Sequence, residues 1–559
     1  MPEQGPSPLI WGEDGLPRSR LYGDVYFSSD DGLAETQAVF LAGCGMPEVW
    51  RGRRRFVVGE LGFGTGLNIA ALLELWGRTR EVGAQLHIFS VEAHPITREE
   101  AERALSRWPR IANAARALTS RWPGRARGAH RLEIPEFNAI LDLWVMDAGE
   151  AMAGWSGAAD AWFLDGFSPA ANPGMWSEDV LGLVAQRSAP GARAATFTVA
   201  GAVRRGLEAA GFAVDKRPGF GRKRERLEAR LPGAPSDAPS PSVAIVGAGI
   251  AGASLARAFA ALGIEPVAYG ARDGASRNPA ALVTPRLDAG LGPQARLYAE
   301  GFRRAVALYG GAAVARGARQ LGSGDKDARR FEVIAASDLF EPGSMTAGDG
   351  LHMADALVIE PERVLDAWLT ELRPPVDTLP DADIVCVAAG HESARFVAAP
   401  LQPVRGQASW AAAVSIDEAL AWGGYAIPMR DGVLFGATHD RDVTESDVRA
   451  RDNARNLEQL AAGLPDLAAR LEGLPLEARA SIRAATPDRL PAAGTVRNGV
   501  FVLTGLGSRG FCTAPLLAEH VAALALGAPS PLARDLSALV DPGRFAARDN
   551  RRRGARKRS

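Results

Sequence analysis

The sequence predicts an α/β protein made of two units in tandem, each built on a parallel sheet with a glycine-rich turn at the carboxyl end of a strand. Three observations carry this. Gly62-Phe63-Gly64-Thr65-Gly66 follows an apolar run, Arg55 to Leu61, and precedes a helical pattern from Leu67 to Trp76. Gly247-Ala248-Gly249-Ile250-Ala251-Gly252 likewise joins an apolar run to a helical one. Between them lies Leu231 to Pro241, LPGAPSDAPSP, whose four prolines and lack of apolar periodicity read as an extended linker.

With 559 residues, 47% of them hydrophobic and 23% charged, the chain is a globular protein too long for one ordinary core. No apolar run approaches the roughly 20 residues that span a bilayer, so no membrane association is expected. Met-Pro-Glu-Gln-Gly-Pro lacks the basic start and apolar core of a secretory leader. Cys44, Cys386 and Cys512 are odd in number and far apart, which suggests neither a disulfide framework nor a metal site. A cytoplasmic setting is the expectation, with no obligate protein partner implied. The net charge of −1 conceals basic clusters. These are Arg51 with Arg53, Arg54 and Arg55, then the stretch Arg204, Arg205, Lys216, Arg217, Arg222, Lys223, Arg224 and Arg226, and finally the tail. From Arg548 to Ser559 six arginines and one lysine stand against one aspartate, a composition expected to be disordered. Such patches serve either as solvated faces or as phosphate contacts.

In the first unit the strand ends carry acids. Leu86 to Val91 runs into Glu92, Leu143 to Met146 into Asp147, and Ala161 to Leu164 into Asp165. Ligands of open α/β sheets bind along that edge. Gly62, Gly64 and Gly66 alternate behind Glu60, a spacing unlike that of dinucleotide folds, and it suits S-adenosylmethionine, whose cationic sulfonium brings no pyrophosphate. Glu92 is placed for the ribose hydroxyls, or is an ordinary surface acid. Asp147 is placed for the adenine amino group, and with Glu150 it also spells a capping box. Asp165 closes the fourth strand where it can accept a hydrogen bond from an amine and help remove its proton. Phe167 can stack on a base. Trp162, Phe163 and Trp176 read as core.

The second loop has the GxGxxG spacing, in which Gly247, Gly249 and Gly252 serve the tight turn, the pyrophosphate approach and helix packing. The spacing alone does not choose between NAD and FAD. The second strand of this unit, Glu265 to Tyr269, ends in Gly270-Ala271-Arg272 where an acid for the ribose is expected, and the next acid is Asp273. Downstream, Val500 to Thr504 runs into Gly505-Leu506-Gly507 and a second helix, whose N-terminus can stabilise charge on a reduced flavin. Strand-rich sequence lies between, including a hairpin turn at Asp431-Gly432. This is the layout of a discontinuous FAD-binding Rossmann domain with a β-rich substrate domain, D-amino-acid-oxidase-like. His391, His439 and His520 read as structural, His439 being the best exception.

GDVYFSSDDGLAETQAVFL (23–41), GELGFGTGLN (59–68), AWFLDGFSPAANPGMW (161–176), ATFTVAGAVRRGLEAAGF (195–212) and KRPGFGRKRE (216–225) together resemble the methyltransferase half of the bifunctional tRNA 5-methylaminomethyl-2-thiouridine biosynthesis proteins. NPAALVTPRLD (278–288), PVRGQASW (403–410), FGATHDRD (435–442), TPDRLPAAG (486–494) and TGLGSRGFCTAPLLAE (504–519) look like the oxidase half. Arg277 stands where that family usually carries glycine. The resemblance implies a Rossmann-like methyltransferase domain over 1–230, a linker over 231–241, an FAD-dependent oxidoreductase domain over 242–547 and a basic tail over 548–559. It implies S-adenosylmethionine and FAD as cofactors and the wobble uridine of tRNA as substrate. The basic residues from Lys216 to Arg226 then gain anticodon-loop phosphates as a partner. Asp165 takes the amine-facing role. Arg483 and Arg509 match positions where glycine-oxidase-like enzymes clamp a carboxylate, ordinary ion pairing being the alternative for both. Two other readings remain open: oxidation of small amines or amino acids, and a degenerate flavin module that only helps to bind tRNA.

Overall fold

A computed structural model describes residues 7–221, 223–235, 240–412 and 414–547. The chain divides into two compact units, residues 1–239 and 240–559. The basic tail from Arg548 lies outside the described residues.

The first unit holds an eight-stranded sheet. Its spatial order is Gly128–Ile134, Ala139–Val145, Gln85–Glu92, Arg55–Leu61, Ala159–Leu164, Ser188–Thr196, Glu225–Arg230 and Ala213–Pro218. The middle five strands are parallel, and the others close the two edges in antiparallel fashion. The central strands are buried along nearly their whole length, as strands covered on both faces must be. Trp162 and Phe163 are fully buried and Trp176 nearly so, as their apolar strand and turn positions predict. Register aligns Glu60 with Ser90 and Phe163, so the strand ends bearing Glu92, Asp147 and Asp165 lie on one edge of the sheet. The proline-rich stretch begins as an extension of this sheet. Leu231 donates to the Ala192 carbonyl (2.9 Å), and Gly191 donates to that of Pro232 (3.0 Å).

The second unit holds two sheets. The smaller is discontinuous in sequence: Val267–Tyr269, Val243–Val246, Ile384–Val387 and Val500–Thr504 run parallel, with Ala492–Arg497 antiparallel at the edge. The larger, of ten strands, is drawn from Ala281 to Ala485. Its hairpin corrects the sequence expectation. Met429 pairs with Gly432, so the two-residue loop is Arg430-Asp431 and Gly432 already belongs to the strand, where a β-carbon would meet the Ala411 carbonyl oxygen at 2.2 Å. Helices Ile250–Ala261 and Gly510–Leu526 pack together and are tied by Arg257 to Glu519 (2.9 Å). No helix among the described residues is long and apolar enough to cross a membrane.

Candidate active sites

A cavity of about 520 Å³ opens over the acidic edge of the first sheet, lined by Gly62, Gly64, Glu92, Asp147, Asp165 and Phe167 together with residues of the N-terminal segment. The turn that builds it has to be glycine. Gly62 sits at φ +95°, and a β-carbon there would lie 1.9 Å from the Asp165 carbonyl oxygen. The Gly62 and Phe63 amides both donate to the Val91 carbonyl (3.1 and 3.0 Å), locking the loop to the neighbouring strand.

Four carboxylates surround this turn, each in its own setting. Glu92 Oε2 accepts the Gly64 N–H (3.0 Å) and Oε1 the His94 N–H (2.9 Å), which fixes its orientation beside the loop. Asp165 Oδ2 accepts from Asn68 Nδ2 (2.7 Å), and Asn68 Oδ1 in turn accepts from the Thr36 hydroxyl (2.8 Å). Burial pushes the Asp165 carboxyl up to about 7, against the lowering effect of the Asn68 bond. Glu60 is fully buried under the loop. Its Oε2 accepts from Ser90 (2.5 Å) while Oε1 has no partner, and burial raises it to about 8. Asp147 caps the helix Ala148–Gly154, accepting from Gly149 (2.8 Å) and Glu150 (3.4 Å) through Oδ1. The expected capping box is only half made, because the Glu150 carboxylate pairs with Arg127 instead of returning to the Asp147 backbone. Asp147 remains exposed on the cavity wall.

The aromatic side of the cavity was not legible in local spacing. Phe167 packs on Tyr22 (ring centroids 4.8 Å) and edge-on to Tyr26 (5.3 Å), and the Trp176 indole N–H holds the Phe167 carbonyl (2.9 Å). Lys223 also lines the cavity, over the Phe197 ring at 4.0 Å and paired with Glu35 at 2.9 Å. The basic stretch around it is largely neutralised within the unit. Arg204 pairs with Glu208 (3.1 Å), Lys216 with Glu225 (2.8 Å), Arg217 with Asp215 (3.1 Å) and Arg226 with Glu228 (2.7 Å), while Arg222 lies outside the described residues.

In the second unit Gly247, at φ +127°, turns the chain out of its strand, and a β-carbon on Gly252 would fall 1.8 Å from the Gly247 carbonyl oxygen. The close helix–strand approach of a dinucleotide loop is therefore present. Gly249 caps the helix, and the Ile250 N–H donates to Ser276 Oγ (3.0 Å). At the strand end where an acid is expected, Gly270 packs so closely that its β-carbon would stand 2.9 Å from the Ala248 nitrogen. Arg272 beyond it is committed to Asp366 and the Leu369 carbonyl. Arg277 pairs with Glu362 (3.2 Å) and Asp366 (3.3 Å), so the departure from glycine is accommodated by one helix, Pro361–Trp368.

Gly505 (φ +69°) and Gly507 (φ +57°) shape the second loop, which leads through Arg509 into the helix Gly510–Leu526. Arg509 donates to the Thr284 hydroxyl (3.0 Å) and carbonyl (3.2 Å), and Arg483 donates to Ser508 Oγ (3.3 Å). Among the described residues neither guanidinium forms an ion pair with a carboxylate. Of the other candidates, His520 is buried between Ser530 (2.8 Å) and Ser537 (3.2 Å), with burial pushing it down to about 4, and His391 rests on Glu392 (2.9 Å).

A family described as S-adenosyl-L-methionine-dependent methyltransferase matches residues 109–232, and one described as FAD dependent oxidoreductase matches 354–524. The chain is 56% identical over 97% of its length, and 98% of the relative's, to the tRNA 5-methylaminomethyl-2-thiouridine biosynthesis bifunctional protein MnmC of Caulobacter sp. (strain K31). It is 57% identical, over 98% of both chains, to the protein of that name from Caulobacter vibrioides. Among solved structures, glycine oxidase from Geobacillus kaustophilus is 20% identical with a TM-score of 0.43, covering 52% of this chain and 96% of that one. With both glycine loops inside a match that runs nearly end to end, the chain belongs to the family of bifunctional tRNA 5-methylaminomethyl-2-thiouridine biosynthesis proteins.

Proposed function

We propose that this chain completes 5-methylaminomethyl-(2-thio)uridine at the wobble position of tRNA in two steps. The unit at 242–547 removes the carboxymethyl group of 5-carboxymethylaminomethyl-(2-thio)uridine oxidatively, and the unit at 1–230 methylates the amine so exposed. Residues 231–241 link them. The observation that carries this reading is the near-full-length identity to a protein whose name states that biosynthesis. When bound, FAD supplies the two-electron acceptor and S-adenosylmethionine the methyl group.

The substrate of the first step is in effect glycine with its nitrogen on the nucleoside. Loss of hydride from the glycyl carbon leaves a C=N bond, and water then adds and releases glyoxylate and the primary amine. Arg483 and Arg509, which form no ion pair among the described residues, orient the glycyl carboxylate. Gly247, Gly249 and Gly252, with Gly505 and Gly507 across the sheet, fit the flavin nucleotide.

In the second step the four carboxylates fit a cationic donor. Gly62, Gly64 and Gly66 admit its backbone-close approach, Glu92 faces the ribose hydroxyls, Asp147 the adenine amino group, and buried Glu60 supports the loop. Asp165, held by Asn68, accepts the amine N–H, aims the nitrogen lone pair and takes up the proton that methylation releases. Phe167, backed by Tyr22 and Tyr26, stacks on the base.

The test uses purified, flavin-loaded protein and tRNA carrying the carboxymethylaminomethyl group. With the methyl donor present, nucleoside analysis should show methylaminomethyl-uridine; without it, the product should stop at aminomethyl-uridine. Unchanged tRNA under both conditions overturns the reading.

A further inference from the structure

Around Val404, the larger sheet of the second unit sets two arginines on one face and Asp440 on the other. The strand Gln402–Ala411 pairs with Asp440–Arg441 on one side and with Glu477–Ala485 on the other. Val404 is opposite both Arg441 and Arg483, and directly opposed residues of antiparallel strands project to the same face. Arg441 and Arg483 therefore stand in one row across buried Val404. Arg483 reaches along that face over Gly406, whose β-carbon would meet its Nη2 at 2.5 Å. One residue along, Arg405 is opposite Asp440 and points to the other face, where it binds Asp452 (2.6 Å). Asp440 is held there by Arg455 (2.9 Å).

A third cation, Arg489, stands in the turn that follows the strand Glu477–Ala485, within electrostatic reach of His439, as Arg441 and Arg483 are. Arg489 is exposed and held at φ +61°, a left-handed conformation that a non-glycine residue keeps only where its surroundings impose it. Here they do: the Arg489 N–H closes the turn on the Thr486 carbonyl (3.0 Å), and Asp488 is fixed by Arg544 (3.0 Å) and the Thr486 hydroxyl (3.0 Å). Asp442, next to Arg441 in the chain, accepts from Gln402 (3.2 Å). Asp440, Asp442 and Asp488 are thus each bonded elsewhere, and among the described residues Arg441, Arg483 and Arg489 form no ion pair. The three guanidiniums also act together on His439, which partial burial and their charges, against the opposing charge of Asp440, hold below its ordinary pKa.

A single carboxylate needs one or two of these groups, not three of which two are exposed arginines. We infer that Arg441 and Arg489 bind the phosphodiester backbone of the RNA on either side of the nucleoside whose carboxylate Arg483 takes. This rests on the tRNA reading above. Two point contacts to phosphate add affinity without base preference and make binding depend on salt.

The test compares wild type with the double variant Arg441→Ala/Arg489→Ala in the flavin-loaded, full-length protein, following the oxidative step on tRNA across a salt series. KM for tRNA should rise about tenfold with kcat within about twofold. The slope of log KM against log salt should become shallower by about 1 to 1.5, the yield of two single-strand phosphate contacts. Arg441→Lys/Arg489→Lys should restore most of the slope, since a point charge suffices for phosphate. An unchanged KM and slope in the alanine variant overturns this inference alone. So does a fall in kcat without a change in KM, or a failure of lysine to rescue. A wild type that leaves the tRNA unmodified overturns the parent reading and this one with it.

Discussion

The Gly62 loop and the Gly247 loop use the same backbone device in opposite electrostatic surroundings. Both leave a parallel strand with positive φ, and in both a β-carbon would strike a carbonyl oxygen within 2 Å or little more. Around the first stand Glu60, Glu92, Asp147 and Asp165; around the second stand Gly270, Ser276 and the N-terminus of the helix Ile250–Ala261. A cationic sulfonium suits the first and a pyrophosphate the second. The glycine pattern therefore says that a ligand comes close to the backbone, and the neighbouring charges say which one.

The largest effects should come from breaking one loop at a time. Gly252→Ala puts a methyl group 1.8 Å from the Gly247 carbonyl oxygen, so the protein should purify with under a tenth of its flavin absorbance while keeping methyl transfer. Gly62→Ala should do the reverse, cutting methyl transfer about 1000-fold with the flavin spectrum intact. Loss of both activities in either variant would show that the loops do not act independently.

Next in size is Asp165→Asn, expected to lower methyl-transfer kcat about 100-fold, within the span of general base catalysis. Because burial raises this carboxyl from near 4 to about 7, wild-type methyl transfer should climb as pH rises through 7 and then level off. The sign for stability is opposite: the folded state holds this proton longer than the unfolded chain, so the contribution of Asp165 to stability falls as pH rises from about 4 to 7. The asparagine variant should lack both trends; a retained rate limb near 7 would assign it to another group.

Glu92→Gln should weaken donor binding about tenfold by calorimetry, a difference of about 1.4 kcal/mol, with little change in kcat. The smallest effect belongs to the flavin side. Arg277→Gly removes ion pairs to the exposed carboxylates of Glu362 and Asp366, worth under about 1 kcal/mol, and should shift the thermal midpoint by only a few degrees with flavin content unchanged. A large loss of flavin in that variant would place Arg277 in the nucleotide site.

What could be read in advance was what chain neighbours encode. Loops, strand ends and the discontinuous second sheet follow from local glycine spacing and apolar runs, and so do the positions of Glu92 and Asp165. Pairings between distant segments were not legible. Nothing local in Asn68 announces the bridge from Thr36 to Asp165, and Tyr22 and Tyr26 reach Phe167 across more than 140 residues. Arg127 turned a capping box into half of one, and Glu35, 188 residues away, absorbs the charge of Lys223. Basic runs and cap motifs are proposals that remote side chains can take up or leave.

The three cysteines have a practical consequence. Cys44, Cys386 and Cys512 are all buried and unpaired, and burial raises each thiol, Cys44 and Cys512 to about 12. Alkylating reagents attack the thiolate, which these sites withhold. The native chain is thus a silent background for labelling. A single cysteine placed at fully exposed Val82 would carry a fluorophore alone, and energy transfer from that position to a dye on tRNA would follow the substrate as it passes between the two reactions.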